Sequence, residues 1–326
     1  MNELTKTETS SPYFSIVIPA YNEEEHIGSC LKSILESNYD SNGYEVIVVD
    51  NGSQDRTREI ALNTGQVKVL ELPEGNVGAV RNYGATMALG EILVFIDADC
   101  LLDKDWLNRA EQLIKEKPNC AYGGGIRLPT NATWIEKFWL LEYKGRPNLP
   151  KHLIGASTLI PKKLFFSING FNERVSSGED TELHNCLTFQ GATIIFNNSL
   201  TVTHLGNAKT SMQFIKRQIW HAEYYSKNTI QSIKDPIFIA ALTFLTLPTF
   251  ITALLFLGES STIIIYSILS WLLIPAVLSC KRIFRAKQFV MGLNDICKIY
   301  YLDFIYLTGR SLGILKIIVN RKKYKK

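Results

Sequence analysis

Two stretches near the C-terminus carry no charge at all: PIFIAALTFLTLPTFITALLFL, residues 236–257, and STIIIYSILSWLLIPAVLS, residues 261–279. At 22 and 19 residues, each is about long enough to cross a bilayer as a helix. Uncharged length of this kind is rare in helices of soluble proteins. Only Gly258-Glu259-Ser260 separates the two, so they form a tight hairpin. Lys227 and Lys234 precede the pair, and Lys281, Arg282, Arg285 and Lys287 follow it. Basic flanks favour the cytoplasmic side, which leaves Glu259 outside. The segment 231–288 is therefore expected to be a transmembrane hairpin.

Residues 289–320 are apolar but contain Asp295, Lys298, Asp303, Arg310 and Lys316. At about 100° per residue these five share an arc of about 140°. That pattern suits a helix lying in the membrane interface. A third spanning helix is the alternative, at the cost of charge near the bilayer centre. Gly309 and Gly313 are candidate break points. The terminal RKKYKK adds attraction to anionic headgroups, so 289–326 reads as an amphipathic segment with a basic tail.

Before residue 205 the pattern is different. FSIVIP (14–19), YEVIVVD (44–50), VKVLEL (67–72) and EILVFID (91–97) are short and rich in Val and Ile. They alternate with helical stretches at roughly 24–37, 55–64, 78–89 and 103–117. Short runs apolar on both faces suit strands covered by helices, and the βαβα rhythm predicts a mostly parallel sheet. With 46% apolar residues the chain can build a large core. Its net charge of +4 is concentrated in the last six residues, so a nucleic-acid footprint is absent. The six cysteines form no CxxC pair and no zinc-like spacing with the histidines. Residues 1–12 are polar and lack an apolar signal core. They read as a tail.

Three strands end in polar groups: Pro19-Ala20-Tyr21-Asn22-Glu23, Asp50-Asn51-Gly52-Ser53 and Asp97-Ala98-Asp99. In open α/β sheets ligands bind beyond the carboxyl ends of the strands, so these clusters converge on one crevice. Two carboxylates one residue apart repel and call for a cation. A hard divalent ion, Mn²⁺ or Mg²⁺, suits oxygen ligands and also holds substrate phosphates. A surface turn after a strand is the plainer reading of a lone DxD.

Four motifs occur in order: SIVIPAYNEEEHI, VIVVDNGSQDRT, GNVGAVRNYGATMALGEILVFIDAD and SGEDTEL. Together, over about residues 13–225, they resemble the inverting family 2 glycosyltransferases. The resemblance implies a GT-A fold, a Rossmann-like α/β domain over 13–230, ahead of the hairpin and amphipathic helices. It also implies a nucleotide-diphospho-sugar donor of UDP or GDP type and a divalent metal. Pro19, Tyr21 and Glu23 match the first nucleotide-contacting turn, and Asp50 the carboxylate that reads the base. Arg81 matches a position near the nucleotide. Asp97 and Ala98 belong to the nucleotide-sugar site, Asp99 binds the metal, and His204 stands where the fold often supplies another ligand. Asp180 matches the catalytic base that takes a proton from an acceptor hydroxyl. Glu179 and Asp180 also suit a helix N-terminus on electrostatic grounds. Asp55 reads as a cap for the following helix, and Gly75, Gly78 and Gly84 as turn or packing positions, Gly78 with room for close ligand approach.

Lys216, Arg217, Gln218 and Trp220 resemble the basic-aromatic region that follows the core in related enzymes, with possible diphosphate or acceptor contacts. An amphipathic linker helix at the membrane surface is the alternative. The QxxRW pattern of processive synthases is absent. The expected activity is transfer of a single sugar to a hydroxyl, plausibly on a lipid-linked saccharide in envelope polysaccharide or glycolipid assembly. The catalytic domain is expected on the cytoplasmic face of the plasma membrane. A polyprenyl-phosphate sugar synthase is the alternative within the family. An inactive nucleotide-binding membrane protein is the alternative outside it.

Overall fold

A computed structural model describes residues 11–141, 147, 149–175, 177–222, 225, 232–286 and 291–319. Residues 1–10, Lys227, Lys287 and the basic tail from 320 onward, to which the sequence assigns roles, lie outside the described residues. The chain divides into two units: Met1–Pro129 with Pro147–Gly206, and Thr130–Arg146 with Asn207–Lys326.

Among the described residues the first unit holds ten strands: β1 (Phe14–Ala20), β2 (Tyr44–Asp50), β3 (Lys68–Glu71), β4 (Ile92–Phe95), β5 (Cys100–Leu101), β6 (Ala121–Gly123), β7 (Ile126–Arg127), β8 (Thr158–Pro161), β9 (Ile194–Phe196) and β10 (Val202–His204). Seven form one sheet in the order β3-β2-β1-β4-β8-β6-β9. The pairs β1–β2, β1–β4, β2–β3 and β6–β9 are parallel, and β8 runs antiparallel to both neighbours. β5, β10 and β7 form a small second sheet. Four expected strands appear within a residue or two of their predicted bounds. β3 departs in exposure: Lys68 and Glu71 face solvent, because it closes the edge of the sheet.

Helices α1 (Ile27–Leu35), α2 (Thr57–Asn63), α3 (Val77–Thr86) and α4 (Trp106–Glu116) follow β1, β2, β3 and β5. Alternation along the strands feeds two cores, since successive side chains point to opposite faces. Ile16, Ile18, Val46, Val48 and Val94 pack with Ile27, Leu31 and Ile34 of α1 and Trp106 of α4. Val17, Ile47, Val49, Leu93 and Phe95 turn the other way, onto Val80 and Ala85 of α3. Each fully buried aliphatic side chain contributes about 1.5–3 kcal/mol. The apolar-on-both-faces runs thus have a direct cause: both faces of the sheet are covered.

The second unit is helical. It contains α5 (Trp134–Leu140), which departs from the first unit's chain and returns to it; α6 (Lys162–Ser167) and α7 (Glu179–Phe189) belong to the first unit. α8 (Ser211–His221) and three long helices, Pro236–Phe256, Ser261–Ala286 and Leu293–Val319, lie in the second among the described residues. The α/β unit therefore ends at Gly206 rather than near 230. The reason is the apolar face of α8: Phe214 is buried with Ile135 of α5 and with Leu302, Ile305 and Tyr306 of the last helix.

The first two long helices have mean hydropathies of 2.1 and 2.2 and are long and apolar enough to cross a membrane. Most of their surface is exposed, unlike core helices of a soluble domain. Asp235 caps the first, accepting the Ile237 N–H at 2.8 Å, with Pro236 at the position where a missing N–H costs nothing. The Trp271 indole donates to the Phe244 carbonyl at 3.0 Å, and the two rings stack at 4.9 Å.

The last helix corrects two expectations. It is continuous over Leu293–Val319, so neither glycine breaks it. A Cβ at Gly309 would lie 2.6 Å from Gln218 Cβ, and one at Gly313 2.4 Å from Ala222 Cβ. The glycines are the contact by which α8 and the last helix approach. One member of its charged stripe is buried, while Asp295, Lys298 and Arg310 are half-buried and Lys316 is exposed. Asp303 is 1% exposed and pairs with Arg282 of the second long helix, while Ser279 Oγ donates to Asp303 at 2.8 Å. The Arg282 guanidinium lies 3.9 Å over the Trp139 ring. Leu293, Ile296, Leu312, Leu315 and Ile318 are exposed as well.

Candidate active site

β2, β1 and β4 are neighbours in the sheet, so their C-terminal turns lie side by side. The first two turns are laced together. The Asn51 N–H donates to the Ala20 carbonyl at 2.9 Å, the Asn22 N–H to Ser53 Oγ at 3.0 Å, and the Gln54 N–H to Asn22 Oδ1 at 2.8 Å. Asn22 takes a left-handed conformation, φ 55°, which asparagine tolerates better than most residues. The Glu23 N–H donates to Thr57 Oγ1 and the Glu24 N–H to Asp55 Oδ2. Asp55 also accepts the Thr57 N–H at 3.0 Å, at the first turn of α2, which is a capping role. Tyr21 projects into solvent, 56% exposed, and Pro19 and Glu23 are half-buried beside it. The Glu23 carboxylate lies 3.2 Å from His26 Nδ1.

Asp50 ends β2 and is 3% exposed. Its Oδ2 accepts the N–H groups of Gly52 and Ser53 at 3.2 and 3.1 Å. Its Oδ1 is buried and has no hydrogen-bond partner among the described residues. A buried carboxylate oxygen left unpaired costs free energy, so it is an acceptor held ready for a donor from outside.

Arg81, on α3, is 3% exposed. Nη2 donates to Asp97 Oδ1 at 2.6 Å and Nη1 to Glu179 Oε1 at 2.7 Å. Burial opposes its charge, but the Asp97 and Glu179 carboxylates more than offset this and raise its pKa above the usual value. Both terminal nitrogens are therefore engaged by protein carboxylates. Arg81 ties the turn after β4 to the start of α7. Glu179 serves that same tie, and it is 7% exposed. Ala98 is 3% exposed, with its methyl packed in the core, so it can offer a ligand only backbone.

Asp180 follows Glu179 at the first turn of α7. Burial, then the neighbouring Glu179 charge, push its carboxyl up to about 6, against the pull of Arg81. Asn76 and Asn82, which the sequence analysis did not single out, hold the approach to this helix. Asn76 Nδ2 donates to the carbonyls of Glu173 and Val175, each at 2.6 Å. Asn82 exchanges hydrogen bonds with the Phe171 backbone. Asn76 also caps α3 by accepting the Ala79 N–H. An Asn before an apolar helix is a legible cap; its reach across 97 residues is not. Gly78 meets the Asn172 carbonyl and Phe171, so it faces protein rather than leaving room for ligand.

His204 sits opposite Cys100 in the antiparallel ladder of β10 and β5. That register sets its ring beside Asp99, with Nε2 3.4 Å from Oδ2. The Leu205 N–H donates to the Asp99 carbonyl at 2.8 Å. At Gly206 a Cβ would stand 1.9 Å from Asp99 Oδ2; any larger residue would displace the carboxylate. No spacing rule marked Gly206. Asp99, Cys100 and His204 offer ligand atoms all within 4.8 Å of one another. Burial, then Asp99 and Asp97, raise the Cys100 thiol well above its usual pKa, so the sulfur is a neutral neighbour. Asp99 and His204 fit a divalent ion: two donors bound side by side at about 2.1 Å each lie close to the separation seen.

Arg217, Gln218 and Trp220 belong to α8 in the helical unit. Gln218 is 3% exposed and packs on Gly309, four residues after buried Phe214, so it is part of that unit's interior. Arg217 is half-buried and Trp220 is 44% exposed, its ring 4.8 Å from His221.

Residues 15–166 match glycosyl transferase family 2, to which this stretch is similar. Glycosyltransferase AglE of Haloferax volcanii is 36% identical over 135 residues, 39% of this chain and 44% of its own length. The poly(ribitol-phosphate) β-N-acetylglucosaminyltransferase TarS of Staphylococcus aureus is 35% identical over 109 residues, 32% of this chain and 19% of its own. The chain thus spans less than half the length of these relatives. Among solved structures, mannosyltransferase PcManGT from Pyrobaculum calidifontis, in complex with GDP-Man and Mn²⁺, aligns with a TM-score of 0.56 at 17% identity. The alignment covers 94% of this chain and 87% of that one. TarS 1–349 in complex with UDP-GlcNAc aligns at 0.50 with 18% identity, covering 91% and 92%. The fold is GT-A, followed by two apolar helices.

Proposed function

We propose that the chain is a membrane-attached, inverting glycosyltransferase. It moves one sugar from a UDP- or GDP-type nucleotide sugar to an acceptor hydroxyl on a lipid-linked saccharide, in envelope polysaccharide or glycolipid assembly. The observation that carries the donor reading is the buried, unpaired Oδ1 of Asp50. In this reading it accepts a ring N–H of the base, beside the turn of Pro19, Tyr21 and Glu23. Asp97, held by Arg81, lies toward the ribose. Asp99 and His204 hold Mn²⁺ or Mg²⁺, which supplies charge neutralisation for a departing diphosphate. Asp180 takes the proton of the acceptor hydroxyl as its oxygen attacks the anomeric carbon from the opposite face, inverting the configuration. The hairpin supports a lipid-linked acceptor, because it keeps the domain at the surface where such a substrate is found, on the cytoplasmic side.

The test is a calorimetric titration with UDP, GDP, CMP and dTDP, each with and without Mn²⁺, on the full chain and on Asp99→Asn. One diphosphate is expected to bind only with metal, and Asp99→Asn to weaken it by about tenfold or more, the loss of a charged ligand contact. Binding that ignores both metal and Asp99, or no binding by any of the four, would sink the reading.

A further inference from the structure

Arg310 lies on the last helix, next to the Gly309 contact with α8. Its guanidinium is flanked by two tyrosine rings, 5.3 Å from the Tyr306 centroid and 5.7 Å from that of Tyr225. It makes no ion pair among the described residues, and its Nε is buried without a hydrogen-bond partner. Among the described residues the two most buried arginines are answered by carboxylates, Arg81 by Asp97 and Glu179 and Arg282 by Asp303, whereas Arg310 is half-buried between rings. The surroundings are electropositive: burial first, then Arg310 and Arg217, hold the His221 imidazole down to about 3. A buried donor left without a partner costs free energy, and the fork of donors on a guanidinium matches phosphate oxygens.

The position says which phosphate. Tyr225 donates its hydroxyl to Asp235 Oδ2 at 3.0 Å, and Asp235 caps the helix Pro236–Phe256. One tyrosine therefore separates Arg310 from the residue where the uncharged span begins. Lipid phosphates sit just outside the hydrocarbon, at the level where tyrosines are enriched. We infer that Arg310, between Tyr225 and Tyr306, is the seat of a lipid phosphate at the membrane boundary. The inference rests on the membrane reading of the hairpin but not on the transferase reading.

The full chain in neutral detergent is titrated with farnesyl phosphate, with uncharged farnesol and with a phosphatidylglycerol, and binding is read by native mass spectrometry. Arg310→Gln and Arg310→Lys are measured beside it, with thermal unfolding as the check on folding. The native chain is expected to favour farnesyl phosphate over farnesol by about tenfold or more, the scale of a charge-assisted contact. Arg310→Gln should lose that preference and Arg310→Lys keep part of it. Competition by phosphatidylglycerol at similar concentration assigns the seat to phospholipid headgroups; its absence assigns it to an isoprenoid phosphate. Equal binding of alcohol and phosphate, or a preference unchanged in Arg310→Gln, overturns the inference. Should Arg310→Gln fail to fold, Arg310→Lys decides: a preference as strong as the native one counts against the guanidinium. Detachment of the native chain from membranes at alkaline pH would instead undo the membrane reading.

Discussion

Asp180 stands at a helix N-terminus, where the backbone dipole favours a charged carboxylate, yet it holds its proton up to about pH 6. Desolvation and the Glu179 charge win over the dipole and Arg81. A group tuned in this way is a base near neutrality and an acid below it. Transfer to a hydroxyl is expected to rise with pH through about 6, falling to about a tenth of its plateau one unit below. The stability sign is opposite: with the folded pKa above the ordinary 3.8, the group favours the folded state most at low pH, and this is lost as pH rises through 6. Asp180→Asn should abolish the hydroxyl transfer while nucleotide binding persists. A rate profile flat from pH 5 to 8, or an active Asp180→Asn, would remove Asp180 from the role of base. Most of these carboxylates were legible from the sequence because each ends an apolar strand or opens a helix. Arg81's function was not legible, since the two carboxylates that engage it lie 16 and 98 residues away.

Among elements, the last helix carries a charged stripe that the sequence makes legible and one pairing that it does not: Asp303 is buried against Arg282, carried by a different helix. The buried pair with Asp303 yields a prediction. Arg282→Met leaves an unanswered carboxylate in the interior and should cost about 3–5 kcal/mol. The double change Arg282→Met with Asp303→Leu should recover most of that, because an apolar pair needs no mutual neutralisation. Thermal unfolding in detergent reads both. A double variant as unstable as the single one would mean the pair itself stabilises the bundle. The strands and their helices, by contrast, were placed well by periodicity, because each short apolar run is covered on both faces and has no alternative side to take.

For the whole molecule, membrane attachment is the property most open to a direct test. Washing membranes in high salt and then at alkaline pH should leave the full chain in the pellet, whereas release by salt alone would mean an electrostatic peripheral association. The composition shift near residue 235 drew the eye to a boundary there. By its internal contacts the first unit closes earlier, at Gly206, because α8 looks polar enough to close the α/β unit yet buries its apolar face in the helical one. The helical unit also takes α5 from the middle of the chain. Ile135, Phe138 and Trp139 then pack with Leu302 and Tyr306. That interleaving has a consequence in time. A ribosome makes α5 well over a hundred residues before those partners, a delay on the order of 10–30 s at ordinary elongation rates. During that interval α5 lacks the partners that the last helix brings, and its packing is completed only when that helix is made.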